Sequence, residues 1–331
     1  MSQVTVPGVR AAKNWVSAHP WLAFIVRRAA FLVVSVLALA LATFLMLQLI
    51  PGDPVTRIAG EDATPQSIEQ LRRELGLDRP LWEQFTAYMG NLLTGDLGTS
   101  FQNGRPVGEI IADRLPVTAT LAACSVALVL LISVPAGILI GSMTRGGRHR
   151  ATESSFVTST GIAAAIPDFV AGTLLALVFG VALRWLPVGG VGTAAAFVLP
   201  VIALSIRPVA VLSRIIRMET LNVLSLEYIR TAESKRLPPM RIYRTHVLPN
   251  VLTAALTVTG LLLGGLIGGA VTVENVFALP GLGTVVVQAV TVRDYPVIQG
   301  VMIVLGIAVL LINTFVDALV ALLDPRSVLA N

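Results

Sequence analysis

Apolar residues in this chain run in long unbroken stretches; they neither alternate nor recur at every third or fourth position. Six such stretches stand out, at residues 29–50, 117–143, 155–183, 195–213, 251–273 and 297–323. About 20 apolar residues in helical form cross the roughly 30 Å hydrocarbon layer of a bilayer. Inside that layer each backbone polar group must be satisfied within its own element or a closed barrel, and continuous rather than alternating hydrophobicity selects helices. The pattern therefore predicts an all-α polytopic membrane protein with six transmembrane helices. The fourth stretch is interrupted by Pro200, Arg207 and Pro208, whereas the fifth carries no charge between Val251 and Val273.

Two intervening segments have patterns of their own. Residues 51–115 exceed what a simple connection needs. In TPQSIEQLRRELG, Thr64 can cap a helix, Pro65 suits its first turn, Ile68, Leu71 and Leu75 share a face, and Gly76 ends it. Asp78 is positioned to cap a second helix with Leu81, Phe85, Met89 and Leu92 on its apolar side. These faces suit either a cap over the outer ends of the spans or a docking surface for an external partner. The second segment, residues 225–250, reads SLEYIRTAESKRLPPMRIYRTHVLPN. Ser225 can cap a short helix in which Leu226, Ile229 and Ala232 share one face. Pro238 disfavours helical geometry at Leu237, and a second short helix then leads through Pro249 into the fifth stretch. The result is a helical elbow between spans four and five. It suits either a lever or an amphipathic element resting on headgroups.

Composition supports the membrane reading. The chain has 331 residues, 55% hydrophobic and 13% charged, with mean hydropathy +0.80, against about 25% charged residues in soluble domains. Six spans place both termini, 144–154 and 214–250 on one side, with 15 Lys/Arg and 5 Asp/Glu; the other side holds 8 and 12. Cationic loops stay in the cytoplasm, so the first side is expected to be cytoplasmic. The expected layout is an N-terminal cytoplasmic segment 1–28, a membrane domain 29–323 and a cytoplasmic tail 324–331. The first apolar run is longer than a signal-peptide core and reads as a retained helix. The net charge of +5 is dispersed at helix ends, which argues against nucleic-acid binding.

Several chemistries lack their residues. The two lysines are Lys13, after Ala12, and Lys235, after Ser234, so no Gly-Lys-Ser/Thr phosphate cradle can form. ATP, with its Mg, must belong to partner chains if it is used. His19, His149 and His246 lie outside the spans, and no two His or Cys have metal-ligand spacing. Cys124 is the single cysteine. Asp168 and Asp317 are the carboxylates inside apolar runs, at different expected depths. The chain is thus expected to bind no cofactor or metal itself and not to be an enzyme.

The elbow also resembles a family motif. Permease subunits of ABC importers carry a cytoplasmic loop of the form E-A-A-x-x-x-G-x9-I-x-L-P, and in the dipeptide/oligopeptide/nickel branch its core typically reads Y-V-R-T-A-x-A-K-G-L. Here it reads YIRTAESKRL, with His246-Val247-Leu248-Pro249 at the matching distance. LQLIPGDP, LGLDRPLWEQF, GDLGTSF, VENVFALPGLGTVVVQAVTVRDYPVIQG and FVDALVALLDPR are similar to the same branch, in the same order. Arg236 replaces the family glycine and His246 its isoleucine. A non-glycine residue in a left-handed turn costs about 1–2 kcal/mol, so either that turn is strained or Pro238-Pro239 set another.

The resemblance implies a type I ABC importer permease fold carrying peptides or a related small solute. It also implies a second homologous permease subunit, two cytoplasmic ATPase subunits or domains, and an external substrate-binding protein. The elbow would be the coupling element, with Ile229, Ala232 and Leu237 docking on the ATPase. Arg230, Thr231, Glu233, Lys235 and Arg236 would surround them, and Leu248 and Pro249 would fix the lever to span five. Pathway or gate candidates are Asp168, Arg207, Gly264, Gly268 and Glu274. Gly264 and Gly268 form a small-xxx-small pair suited to packing or to lining a pathway, and Glu274 could gate the pathway or meet the external protein. The competing reading is a secondary transporter or channel independent of ATP, which would need midplane ion-coupling residues and often shows inverted repeats.

Overall fold

The computed structural model describes residues 20–48, 55, 63–74 and 76–323. The motif residues 49–54, Leu75 and both chain ends lie outside that set. Helices dominate: α1 (Pro20–Gln48), α2 (Pro65–Glu74), α3 (Leu81–Thr94), α4 (Val107–Met143), α5 (Arg150–Ala165), α6 (Asp168–Leu175, continued by the wide turns Ala176–Ala182), α7 (Val198–Ser225), α8 (Glu227–Ser234), α9 (Leu248–Val276), α10 (Leu282–Val292) and α11 (Tyr295–Leu323). Among the described residues there is no strand, only an isolated bridge between Thr99 and Pro106. Four helices are long and apolar enough to cross a membrane, and there are six spans when each of two bent pairs counts as one.

Span boundaries depart from the sequence expectation where proline or interhelical packing decides. Span two begins at Val107, ten residues before the apolar run, because Ile110 and Ile111 bury against the N-terminal end of α11. Span three is broken by 95° between α5 and α6. Ile166 is extended there (φ −74°, ψ 121°) because Pro167 follows it. Span four does the opposite. Pro200, Arg207 and Pro208 do not interrupt it, and α7 runs through all three to Ser225. Neighbouring helices can satisfy the carbonyl that Pro208 leaves free. Span one starts earlier than expected, with α1 already helical at Pro20.

Helices α4 and α7 cross at close range. A methyl group at Gly137 would lie 2.5 Å from Ile216 Cγ2, and one at Gly141 would lie 2.8 Å from Thr220 Cβ. The small-residue pair that packs helices is therefore Gly137/Gly141. At Gly264 and Gly268, expected to be packed or pathway-lining, an added methyl group would meet nothing within 4 Å, so packing within the chain is not their role. Three buried clusters follow: one at the end remote from the elbow (Val107, Leu282, Ile298), one in the middle (Leu204, Leu266, Phe277) and one beneath the elbow (Leu212, Ile216, Val251).

The helices between spans one and two form as expected in part. Thr64 Oγ1 accepts from Ser67 N at 3.3 Å, and Gly76 (φ +65°) closes α2. Asp78 does not cap α3; Pro80 stands at that position, with no side-chain cap. Neither α2 nor α3 buries a residue fully, and α3 meets α1 through Phe85 and Tyr88, whose rings lie 5.4 and 6.0 Å from that of Phe44.

Candidate functional site: an elbow built into the core

Leu226 begins the elbow in extended geometry (φ −72°, ψ 148°) with no side-chain cap. Ser225 is not the cap: its hydroxyl donates to Asn222 O at 2.7 Å, as the last residue of α7. Over the eight residues of α8, Ile229 and Ala232 lie on the same face and are buried, joining Leu212, Ile216, Val223, Leu224 and Val247. Leu237 packs against the same cluster. This corrects the expected docking role of Ile229 and Ala232. They hold the elbow onto α7 and α9 and are not available to another protein.

The end of α8 answers the question raised by Arg236. Leu237 N donates to Ala232 O at 3.2 Å and Arg236 N to Glu233 O at 2.9 Å, while Arg236 takes φ +54°. This is the bond pair of a Schellman helix end, with the left-handed position normally given to glycine filled by arginine. The turn keeps its geometry and carries the local strain. Ala278 (φ +47°) and Arg293 (φ +58°) fill the same position at the ends of α9 and α10. Pro238 is extended (φ −56°, ψ 136°) and Pro239 opens the next helical turn. The chain then passes through wide turns, Tyr243–Val247, directly into α9 at Leu248 and Pro249. His246, the other departure, has its ring 5.6 Å from that of Tyr228.

A second attachment comes from the loop between spans two and three. Arg145 donates to Leu224 O at 2.9 Å and forms an ion pair with Glu233. The hydrogen bond from Arg145 holds the Glu233 carboxyl below its ordinary range. Glu233 therefore faces the chain's own loop and is not a free rim residue. Deeper in, Arg217 of α7 is buried and reaches Glu153 Oε1 at 2.6 Å and Thr144 Oγ1 at 3.3 Å. In the sequence alone these arginines are markers of topology. The signal that singles out Arg217 is its place beyond the fourth apolar run, on the face that Gly137 and Gly141 approach. Facing outward from the elbow are Tyr228, Arg230, Thr231, Lys235, Arg236 and Met240.

The pathway candidates divide. Asp168 sits in the first turn of α6, immediately after the break in span three, against Gly269 of α9: a methyl group there would lie 2.6 Å from Asp168 Oδ2. Arg207 of α7 is exposed. Asp317 is elsewhere, paired with Arg28 of α1, so the two intramembrane aspartates do not meet. Gly264 and Gly268 lie on an exposed stripe of α9 that includes Thr257 and Thr272. Glu274 is fully buried, which rules out the expected contact with an external protein. It accepts from Thr118 Oγ1 (2.6 Å), Gly283 N (2.7 Å) and Thr284 N (3.3 Å). Thr118 Oγ1 accepts in turn from Leu282 N at 2.9 Å. Glu274 thus caps α10 and ties it to α4. Asp294 plays a similar part at the other end of α10, accepting from Ser100 Oγ and from Phe101 N at 3.0 Å. The GDLGTSF and RDYP motifs meet at this point.

Comparison with known proteins places this architecture. The family described as "Binding-protein-dependent transport system inner membrane component" matches residues 133–328, and its N-terminal companion matches residues 21–122. A Brucella abortus protein named as a peptide transport system permease is 38% identical over 312 residues, covering 92% of this chain and 98% of its own. The glutathione transport system permease GsiC of Escherichia coli is 36% identical over 304 residues, with the same coverage. The dipeptide transport system permease DppB of Lactococcus lactis is 34% identical over 304 residues, again with 92% and 98% coverage. Among solved structures, the methionine ABC transporter MetNI in an inward-facing conformation has a chain that superposes with a TM-score of 0.51. That match has 20% identity and covers 65% of this chain and 96% of the other, a likeness of fold. This chain belongs to the family of binding-protein-dependent transport system inner membrane components, the membrane-embedded, non-catalytic permease subunits of ABC importers.

Proposed function

We propose that this chain forms half of a translocation pathway for peptides or a related small solute. In this reading a second homologous permease completes the pathway, and two cytoplasmic ATPase subunits, which hold the ATP and Mg, drive it. An external binding protein delivers the cargo. Both termini face the cytoplasm in this reading, which the excess of Lys/Arg on that side supports. Peptide cargo rests on the names of the relatives; Asp168 of α6 and Arg207 of α7 are charged pathway candidates within the spans.

The observation that carries the coupling role is the way the elbow is attached. Ile229 and Ala232 sink into the core formed with α7 and α9, and Arg145 ties α8 to the loop after span two. A force on the exposed face, at Tyr228, Arg230, Thr231, Lys235, Arg236 and Met240, reaches three spans through packed side chains. Leu248 and Pro249 continue the lever into α9 with no break in the helical path at that junction. The small residues Thr257, Gly264, Gly268 and Thr272, on one exposed side of α9, suit a pathway wall or the seam with the second permease.

The direct test is to purify the assembled complex and measure ATP hydrolysis and cargo uptake in proteoliposomes for Met240→Glu and Tyr228→Ala. Loss of both ATPase association and uptake, with membrane insertion kept, is expected. Normal uptake and association in both variants would refute the coupling role. Uptake that persists without ATP would point instead to a secondary transporter.

A further inference from the structure

We infer that α3, in the external segment, lies on the outer surface of the membrane, with the stripe Trp82, Met89 and Leu93 set into the lipid at the boundary of headgroups and acyl chains. The helix has three stripes. Leu81, Phe85, Tyr88 and Leu92 recur at intervals of four, three and four, and Phe85 and Tyr88 of that stripe contact Phe44. Turned by roughly a quarter of the helix lies Trp82, Thr86, Met89 and Leu93 at the same intervals. The far side carries Glu83, Ala87, Asn91 and Thr94, including the single charge of α3. The apolar ends of the second stripe are uncovered, Trp82 at 66% and Leu93 at 87% exposed, and Met89 between them is half-buried.

The depth of this stripe follows from its neighbour. Phe44 lies two residues inside the end of the apolar window Ile25–Met46 of α1, or about 3 Å at 1.5 Å per residue. A helix resting on Phe44 is therefore at headgroup level. Leu45 and Met46, beside Phe44, are themselves exposed, as expected of a lipid-facing helix. The uncovered stripe of α3 thus continues the lipid-facing surface of α1, while its polar side faces water. Tryptophan is enriched at this depth, and a helix with one apolar flank and a polar opposite side lies in the interface plane. The external binding protein is then left the polar side. This inference needs only the membrane reading and holds whatever the cargo or the ATPase.

The test uses the full transporter complex in proteoliposomes, with Cys124→Ser removing the native thiol. Nitroxide labels are placed at Leu93→Cys, Trp82→Cys and Asn91→Cys, and their collision rates with oxygen and with a water-soluble nickel chelate are measured. The labels at positions 93 and 82 should show a severalfold higher oxygen-to-chelate ratio than the label at position 91. Equal ratios at all three positions would overturn the inference. So would labels at 93 and 82 that stay open to the chelate until binding protein is added, since that would assign the stripe to a protein partner. Leu93 makes so little contact that its substitution leaves the fold intact, and the position 82 label gives an independent reading.

Discussion

The elbow and the external segment are both helical insertions between spans, and they are attached in opposite ways. The eight-residue α8 buries Ile229 and Ala232 and is tied by Arg145. The external α2 and α3 together bury no residue fully and depend on Phe44, and on Asp294 at the following turn. A part that transmits force must be continuous with the core, because packed side chains do not yield gradually. A part that caps or rests on a membrane can be held by one aromatic cluster. Attachment, more than helicity, separates the two roles.

The strongest way to break that contrast is to remove the elbow's anchor. Ile229→Ala should cost about 2–5 kcal/mol of local stability and abolish uptake, whereas Phe44→Ala should release α3 with uptake largely kept. Uptake assays on both variants, with limited proteolysis of each insertion, would measure this. Equal loss of uptake in both would erase the distinction.

Next in size is Arg145→Ala. An exposed ion pair contributes roughly 0.2–1 kcal/mol, and the bond to Leu224 O adds to it. We expect a modest loss of uptake per ATP hydrolysed, and a double-mutant cycle with Glu233→Gln should show coupling between the two positions. The pH dependence has a defined sign. The folded Glu233 carboxyl lies below its unfolded value, so its contribution is complete above the ordinary carboxylate pKa of about 4.3 and is lost as pH falls through the folded value. Uptake by the wild type should therefore show no Glu233-linked change between neutral and mildly acid pH. A coupling energy that disappears near a pH of about 6, well above that ordinary value, would contradict the pairing.

Smaller still is Arg236→Gly. Relief of a left-handed non-glycine residue should stabilise the elbow by about 1 kcal/mol, partly offset by the greater backbone freedom that glycine has when unfolded. A thermal shift of the purified complex would register it, and destabilisation would mean the Arg236 side chain makes a contact that outweighs the strain. The smallest effect is expected at Tyr88→Phe. Burial pushes the Tyr88 phenol up to about 12, and among the described residues its hydroxyl has no hydrogen-bond partner. Removing it should leave stability unchanged or slightly raised, by the same thermal measurement.

Much of this is legible in the residues. Continuous apolar runs locate the four long apolar helices and the two bent pairs, and YIRTAESKRL with its prolines locates the elbow. What is not legible depends on contacts between distant segments. Pro208 reads as a helix breaker in isolation but sits inside α7, while Pro167 does end a helix; the difference lies in what surrounds each. The face containing Ile229 and Ala232 reads equally well as docking surface or anchor until α7 and α9 are placed against it. Gly264 and Gly268 show the converse, a packing motif with nothing in the chain packed on it, while Gly137 and Gly141 are inconspicuous within a longer span. Glu274 sits at a span end, where exposure is the natural expectation, and only the return of α10 covers it.

The central claim is that the exposed face of the elbow receives the ATPase while its buried face holds the spans. Single cysteines at Met240→Cys and Ile229→Cys, each with Cys124→Ser, can be tested with a short thiol cross-linker in the assembled complex. The account predicts a cross-link from position 240 to the ATPase subunit and none from position 229. A cross-link from 229, or a position 240 thiol that stays free in the intact complex, would contradict it.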